Sequence, residues 1–108
     1  MNTPPMVTLD DMRIALETSS TMVIDIREPH EHATGVAKDA KLIPMSQLGT
    51  RLAELPKPGE EAFMVICRTQ QRSVSVVAQL QSMGYTNARF VDGGMSLWAQ
   101  QAWPMVQP

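Results

Sequence analysis

Short apolar segments alternate with amphipathic segments along most of the chain. The apolar segments cover residues 21–26, 40–45, 62–66 and 87–91, and their length is typical of buried strands. The segments between them place apolar residues three or four apart, which predicts helices. Strands that alternate with helices favour a largely parallel sheet with helices on both faces. The sequence therefore predicts an α/β fold.

A few residues mark the ends of the predicted helices. Thr8 and Asp11 have the spacing of a capping box, which predicts a helix over residues 9–17. Ser46 is expected to cap the helix that follows the second strand segment. Gly84 is expected to end the long helix that follows the third.

Length and charge limit the kinds of protein that this chain can be. Its 108 residues suit one domain, so we expect a single domain over residues 1–108. The net charge is -2 and no run of basic residues occurs, which argues against nucleic acid as a partner. No apolar run approaches the ~18 residues that a membrane span needs. The first residues do not resemble a signal peptide and a free cysteine suits a reducing compartment, so we expect a cytoplasmic protein.

The single cysteine, Cys67, follows the most apolar strand segment and precedes a helix. A buried cysteine can be a small hydrophobic residue, but this one lies at the carboxyl end of a strand, where parallel sheets bind ligands. If CRTQQR, residues 67–72, curls around the sulfur, the backbone N–H groups form an anion-binding nest. Arg68 and Arg72 add positive charge. These effects favour the thiolate, which is the nucleophilic form of cysteine.

Four stretches of the sequence resemble successive motifs of single-domain rhodaneses. They are VIDIREPHEHATG, AKLIP, FMVICRTQQRS and FVDGGMSLW, and the resemblance extends from about Val7 to Trp103. It implies a rhodanese-like α/β fold with a five-stranded, mainly parallel sheet and helices on both faces. It also implies a sulfurtransferase that carries sulfur as a cysteine persulfide.

The same resemblance implies roles for individual residues. Cys67 corresponds to the catalytic residue that bears the persulfide. The substrate-binding cradle would consist of Arg68, Thr69, Gln70, Gln71 and Arg72. Arg27 corresponds to an arginine that lies close to the active-site loop in family members, so it is expected to bind the substrate as well. The resemblance implies no metal ion and no organic cofactor.

The sequence departs from the family pattern at two glycine positions. The family loop usually reads Cys-Arg-x-Gly-x-Arg, and this chain has Gln70 in place of the glycine. We therefore expect Gln70 to adopt a positive φ at a cost of roughly 1–2 kcal/mol, with the loop held by other contacts. Where the family often reads HIPGA, this chain reads VAKDA, which places Asp39 at the glycine. We expect the second change to affect only a surface turn.

The leading hypothesis is sulfur transfer from a small anionic donor, such as thiosulfate, to a thiol or a sulfur-acceptor protein. A rhodanese-like binding or regulatory module without turnover is one alternative, which Gln70 keeps open. A phosphatase or arsenate reductase of similar fold is another, but such enzymes place one more residue between cysteine and arginine than the four found here. No strong interface is predicted, so the oligomeric state is open and a monomer is favoured.

Two histidines, His30 and His32, stand beside Glu28 and Glu31. This spacing is compatible with metal ligands, but no other segment supplies further ligands at a suitable spacing. The sequence therefore predicts a solvated polar loop here and no metal site.

Overall fold

The computed structural model describes residues 4–108, in which strands alternate with helices. In chain order the elements are β1 (Met6–Val7), α1 (Leu9–Thr18), β2 (Met22–Asp25), α2 (Pro29–His32), β3 (Val36–Ala37), β4 (Lys41–Leu42), α3 (Met45–Leu48), a 3-10 helix (Leu52–Glu54), β5 (Phe63–Ile66), α4 (Gln71–Ser82), β6 (Ala88–Val91), α5 (Gly94–Gln100) and β7 (Met105–Val106). The first three residues of the predicted domain lie outside the described residues. None of the helices within residues 4–108 is both long enough and apolar enough to cross a membrane.

Five strands form one parallel sheet in the order β1-β6-β5-β2-β4. The expected α/β fold with a five-stranded, mainly parallel sheet is confirmed, and β5, the most apolar of the predicted strand segments, is the central strand. A second sheet pairs β3 with β7 in antiparallel orientation. The sequence did not predict these two strands, because two residues are too few to show a strand's alternating pattern.

Helices cover both faces of the sheet because successive strand residues point to opposite sides. On β5, Val65 faces one side and Ile66 faces the other. The first side packs against α4, where Val77 is fully buried. The second packs against α1 and α5 through side chains that include Met12 and Trp98. Each face therefore has its own apolar core, and the carboxyl edge of the sheet lies between the two.

The predicted ends of α1 and α4 are confirmed. The Thr8 hydroxyl accepts the Asp11 N–H at 3.0 Å, and the Asp11 carboxylate accepts the Thr8 N–H at 2.9 Å, so the capping box closes in both directions. Gly84 follows α4 with a φ of +100°, the left-handed conformation that commonly ends a helix.

The predicted capping role of Ser46 is wrong. Helix α3 begins at Met45, so Ser46 lies in its first turn. The Ser46 N–H and hydroxyl donate to the Glu28 carboxylate at 3.1 and 2.7 Å, and these bonds hold the pKa of Glu28 below its ordinary value. Glu28 precedes α2, so Ser46 joins two short helices at the carboxyl edge of the sheet.

Candidate active site

Cys67 follows the central strand β5 and is almost completely buried, with 1% of its surface exposed. Its Sγ accepts the backbone N–H of Ser73 at 3.3 Å. The thiol also lies 3.4 Å from the Ser73 hydroxyl, which itself donates to the carbonyl of Gln70 at 3.0 Å. The first turn of α4 therefore bonds directly to the sulfur through Ser73, a residue that the sequence analysis did not identify. Its position as the third residue of α4 was the available signal, because N–H groups in the first turn have no partner inside the helix.

The residues between Cys67 and Ser73 form the loop that the sequence singled out. Within the described part of the chain, the N–H groups of residues 68–72 have no hydrogen-bond acceptor. Arg68, Thr69 and Gln71 are exposed, whereas Gln70 and Arg72 are half-buried. The loop thus offers a series of free backbone donors next to the Cys67 sulfur, as an anion-binding nest requires.

The N-terminal part of α5 fixes the opposite side of this loop. Met95 donates its N–H to the carbonyl of Cys67 at 2.8 Å, and Ser96 donates its N–H to the carbonyl of Arg68 at 2.9 Å. In a trans peptide the carbonyl and the following N–H point in opposite directions. Because these two carbonyls point toward α5, the N–H groups of Arg68 and Thr69 point away from it.

The close approach of α5 depends on Gly94. A Cβ atom at Gly94 would collide with the carbonyl oxygens of Arg68 and Thr69. Gly94 also has a φ of +60°, and Gly93 before it has a φ of +91°, so both adopt the left-handed conformation that favours glycine. The glycine pair in FVDGGMSLW therefore serves the packing of the turn against the cysteine loop.

The expectation that Gln70 adopts a positive φ is wrong. Its φ is −173°, an extended conformation that any residue can adopt. Its carbonyl accepts the Val74 N–H at 2.9 Å, and its side-chain Oε1 accepts the Gly93 N–H at 3.1 Å. The sequence could not reveal this because Gly93 lies 23 residues away along the chain.

Arg72 forms a two-pronged ion pair with Glu31. The Nη1–Oε1 and Nη2–Oε2 distances are both 2.7 Å. The pKa of Glu31 is lowered from 4.5 to about 2, and these hydrogen bonds are the largest of several causes. They also raise the pKa of Arg72, and the nearby Cys67 adds a smaller effect in the same direction. Arg72 thus lies close to the sulfur, but a carboxylate occupies much of its hydrogen-bonding capacity.

Arg27 is buried and bonds to the buried carboxylate of Asp25. Its Nη2 lies 2.8 Å from Asp25 Oδ2 and donates to the carbonyl of Gly35 at 2.9 Å. His32 is also buried, so the prediction of a solvated loop is wrong for this residue. Its Nε2 lies 3.4 Å from Asp25 Oδ1 and makes no hydrogen bond to residues 4–108. The short helix α2 turns His32 inward, while His30 stays exposed.

A cavity of about 440 Å³ lies where α2 and α5 meet the cysteine loop. Arg27, Glu31 and Arg68 line it, together with Ser96. The structure therefore brings Arg27 and Arg68 to one cavity, and it adds Glu31, which the sequence analysis had not identified as a site residue. Among residues 4–108, no three His, Cys, Asp or Glu side chains are arranged to hold a metal ion.

Comparison with known proteins gives consistent results. Residues 8–101 match the family model of the rhodanese-like domain. The chain is 34% identical over 92 residues to a sulfurtransferase of Allochromatium vinosum, covering 85% of this chain and 84% of that protein. It is 30% identical over 90 residues to the thiosulfate sulfurtransferase GlpE of Pseudomonas entomophila, covering 82% and 79%. Other relatives are longer, and the chain spans 53% of one from Synechocystis and 21% of one from Mycobacterium tuberculosis.

Solved structures show the same likeness. A human single-domain sulfurtransferase superposes with a TM-score of 0.77 at 26% identity, covering 93% of this chain and 98% of that one. With the family model matching most of its residues, this chain belongs to the rhodanese-like domain family.

Proposed function

We propose that this protein is a sulfurtransferase that carries a sulfane sulfur as a persulfide on Cys67. The names of its relatives support sulfur transfer in general. The observation that carries the proposal for Cys67 is the position of its Sγ, which accepts the Ser73 N–H. Between these two residues lies a loop whose five N–H groups have no acceptor within residues 4–108. Such donors stabilise negative charge on a sulfur that is being transferred.

The first half-reaction loads the cysteine. The Cys67 thiolate attacks the outer sulfur of thiosulfate, or of a similar small anionic donor, and a new S–S bond forms. The donor's own S–S bond breaks, and its electron pair leaves with sulfite. The product is the Cys67 persulfide, whose outer sulfur carries a negative charge that the loop N–H groups can bind.

The second half-reaction passes the sulfur on. A thiolate of a small thiol or of a sulfur-acceptor protein, or cyanide in an assay, attacks the outer sulfur of the persulfide. The persulfide bond breaks, and its electron pair restores the Cys67 thiolate. Because a covalent intermediate separates the two steps, ping-pong kinetics are expected.

The cradle around the donor has two kinds of charge. Backbone N–H groups of Arg68, Thr69, Gln70, Gln71 and Arg72 supply directed dipoles without a side chain having to move. Arg68 is exposed and forms no ion pair within residues 4–108, so it is available to meet an incoming anion. Arg27 lines the same cavity as Arg68, although its guanidinium is largely engaged with Asp25. We place the reaction in the cytoplasm, where a free thiol stays reduced.

Intact mass spectrometry tests the proposal directly. Treatment with thiosulfate should add the mass of one sulfur atom to the protein, and cyanide should then remove it with release of thiocyanate. The variant Cys67→Ser should show neither change while keeping the circular dichroism spectrum of the parent. A parent protein that takes up no sulfur from thiosulfate or from polysulfide would indicate a binding module without turnover.

A further inference from the structure

The residue at the loop's usual glycine position makes a contact that glycine cannot make. Gln70 Oε1 accepts the N–H of Gly93 at 3.1 Å. The Gln70 backbone meanwhile begins α4, since its carbonyl accepts the N–H of Val74. Gln70 therefore joins the loop after β5 to the turn after β6. Its main chain belongs to the loop, and its side chain bonds to the turn.

This contact completes a series of bonds between two segments of the chain. Residues 93–96 donate to residues 67–70 at three points, from Gly93 to the Gln70 side chain, and from Met95 and Ser96 to the carbonyls of Cys67 and Arg68. The two carbonyl bonds orient the first two peptides of the loop. The third peptide, between Thr69 and Gln70, has no such bond in the described residues, and the Gln70 side chain is what holds the loop there.

The held peptides determine where the free donors point. Planar trans peptides turn the N–H groups of Arg68 and Thr69 away from α5. The N–H of Gln70 belongs to the peptide whose carbonyl, that of Thr69, lies directly against Gly94. A loop free to rotate at this point would lose the alignment of its donors, and an anion-binding nest depends on that alignment.

We propose that Gln70 is a positioning residue for sulfur transfer, which aligns the loop N–H groups with the Cys67 sulfur through its bond to the Gly93 N–H. This inference rests on the proposed function for its effect on turnover, whereas the bond and its effect on thiol reactivity stand apart from it. Where the family usually has a loop glycine, this chain has a glutamine whose side chain bonds the loop to the turn after β6.

The test compares Gln70→Met with Gln100→Met. Methionine keeps the volume of glutamine and removes the carbonyl acceptor, and Gln100 is an exposed glutamine of α5 outside the site. Three measurements are made on each protein: amide hydrogen exchange of Gly93 by NMR, the rate of Cys67 alkylation by iodoacetamide across the pH range, and kcat and KM with thiosulfate. Gln70→Glu serves as the conservative variant, because its carboxylate can accept the same N–H.

In Gln70→Met we expect faster exchange at Gly93, alkylation that requires a higher pH, and a KM for thiosulfate raised roughly five-fold with a smaller change in kcat. Gln70→Glu should restore slow exchange at Gly93, and Gln100→Met should match the parent in every measurement. An unchanged alkylation profile and KM in Gln70→Met, with or without lower thermal stability, would overturn the positioning role. If the parent does not react with thiosulfate, the proposed function fails, and the exchange and alkylation measurements still decide the role of Gln70.

Discussion

Ser73 donates its backbone N–H to the Sγ of Cys67 at 3.3 Å, and its hydroxyl lies 3.4 Å from the same sulfur. The two residues are six positions apart, so the chain must make a nearly complete turn to bring them together. A sulfur held against the first turn of a twelve-residue helix also lies at the positive end of the helix dipole. The hydrogen bond from the Ser73 N–H and the helix dipole both stabilise negative charge on the sulfur.

The Ser73 hydroxyl is expected to contribute to reactivity. The hydroxyl donates its one proton to the Gln70 carbonyl and accepts from the Cys67 thiol. Ser73→Ala frees the Gln70 carbonyl and keeps the backbone N–H, so the loop is held less firmly and kcat/KM for thiosulfate should fall roughly five-fold, equivalent to about 1 kcal/mol. Steady-state kinetics with thiosulfate and cyanide measure this. Ser75→Ala, an exposed serine on the same helix, is the control. Equal rates for the two variants would show that the bond from the Ser73 hydroxyl to the Gln70 carbonyl does not support the loop.

Three glycines separate the effect of backbone conformation from the effect of close packing. Gly49 has a negative φ and open space around it, Gly59 has a φ of +79° and open space, and Gly94 has both a positive φ and carbonyl oxygens in the way. We expect Gly49→Ala to be neutral, and Gly59→Ala to cost about 1 kcal/mol of unfolding free energy. Gly94→Ala should cost more than about 2 kcal/mol, because the loop must shift. Sulfur loading on Cys67 should fail only in Gly94→Ala. If Gly94→Ala matches Gly59→Ala in denaturant unfolding, the packing of α5 on the loop is loose.

The Glu31–Arg72 pair should make stability depend on acid pH. Arg72 lowers the pKa of Glu31 from 4.5 to about 2, so the pair stabilises the fold fully above about pH 4.5. This contribution is lost as the pH falls through about 2. The Arg72 side chain is 33% exposed, and solvent screening leaves about 1 kcal/mol for the contribution.

Denaturant unfolding at neutral and acid pH checks this pair. Glu31→Gln should lower stability at neutral pH and reduce the further loss on acidification. Glu54 is an informative comparison, because its pKa is also lowered to about 2 by Arg51, but the carboxylate is exposed to solvent. Glu54→Gln should therefore change the acid dependence less. The same acid dependence in both variants would contradict the importance of partial burial.

Arg27 is expected to matter for folding more than for donor affinity. Arg27→Met leaves the carboxylate of Asp25 buried without its ionic partner, which should cost about 3–5 kcal/mol. Arg13→Met removes an exposed ion pair with Glu17 and a contact with the ring of Trp103, and it should cost less than about 1 kcal/mol. Urea midpoints of the two variants provide the measurement. A small loss in Arg27→Met accompanied by a raised KM for thiosulfate would instead assign Arg27 to the donor.

Glycine substitutions at the two departures from the family pattern should have opposite effects. Asp39 has a φ of +73°, so Asp39→Gly relieves a left-handed conformation and should stabilise the fold by roughly 0.5–1 kcal/mol. Gln70→Gly should destabilise it, since Gln70 has no positive φ to relieve and loses its bond to Gly93. Thermal unfolding of both variants checks the signs. Stabilisation by Gln70→Gly would mean that the side-chain bond contributes nothing.

The features of the fold that depend on residues close in sequence were predicted correctly from sequence patterns. The alternation of strands and helices, the capping box at Thr8 and the position of Cys67 at the end of the central strand all follow from residues close in sequence. The structure agrees with each of these predictions. The nest of loop N–H groups was predicted in the same way, because a strand, a short loop and a helix start leave the same groups without partners.

Distant partners account for two of the predictions that were wrong, those for Ser46 and Gln70. Ser46 bonds to Glu28, which lies 18 residues away, instead of capping its own helix. Gln70 bonds to Gly93, so its extended backbone is compatible with a side chain where a glycine is usual. The cysteine loop has the family's length, yet part of its support comes from the Gln70 side chain, which reaches from the loop to the turn after β6. Such choices depend on packing between segments, which periodicity and local spacing do not encode.

Because residues 93–96 hold the cysteine loop, the loop can be arranged only some time after Cys67 has been synthesised. A ribosome adds Cys67 to the chain before it adds the Met95 and Ser96 amides that orient the loop carbonyls. Until those later residues have emerged and docked, the nascent chain carries a thiol without its aligned donors. A chain that stops before Gly93 keeps Cys67 and lacks the amides that orient the loop beside it. The docking of α5 is therefore the step in folding that completes the surroundings of a cysteine that was synthesised earlier.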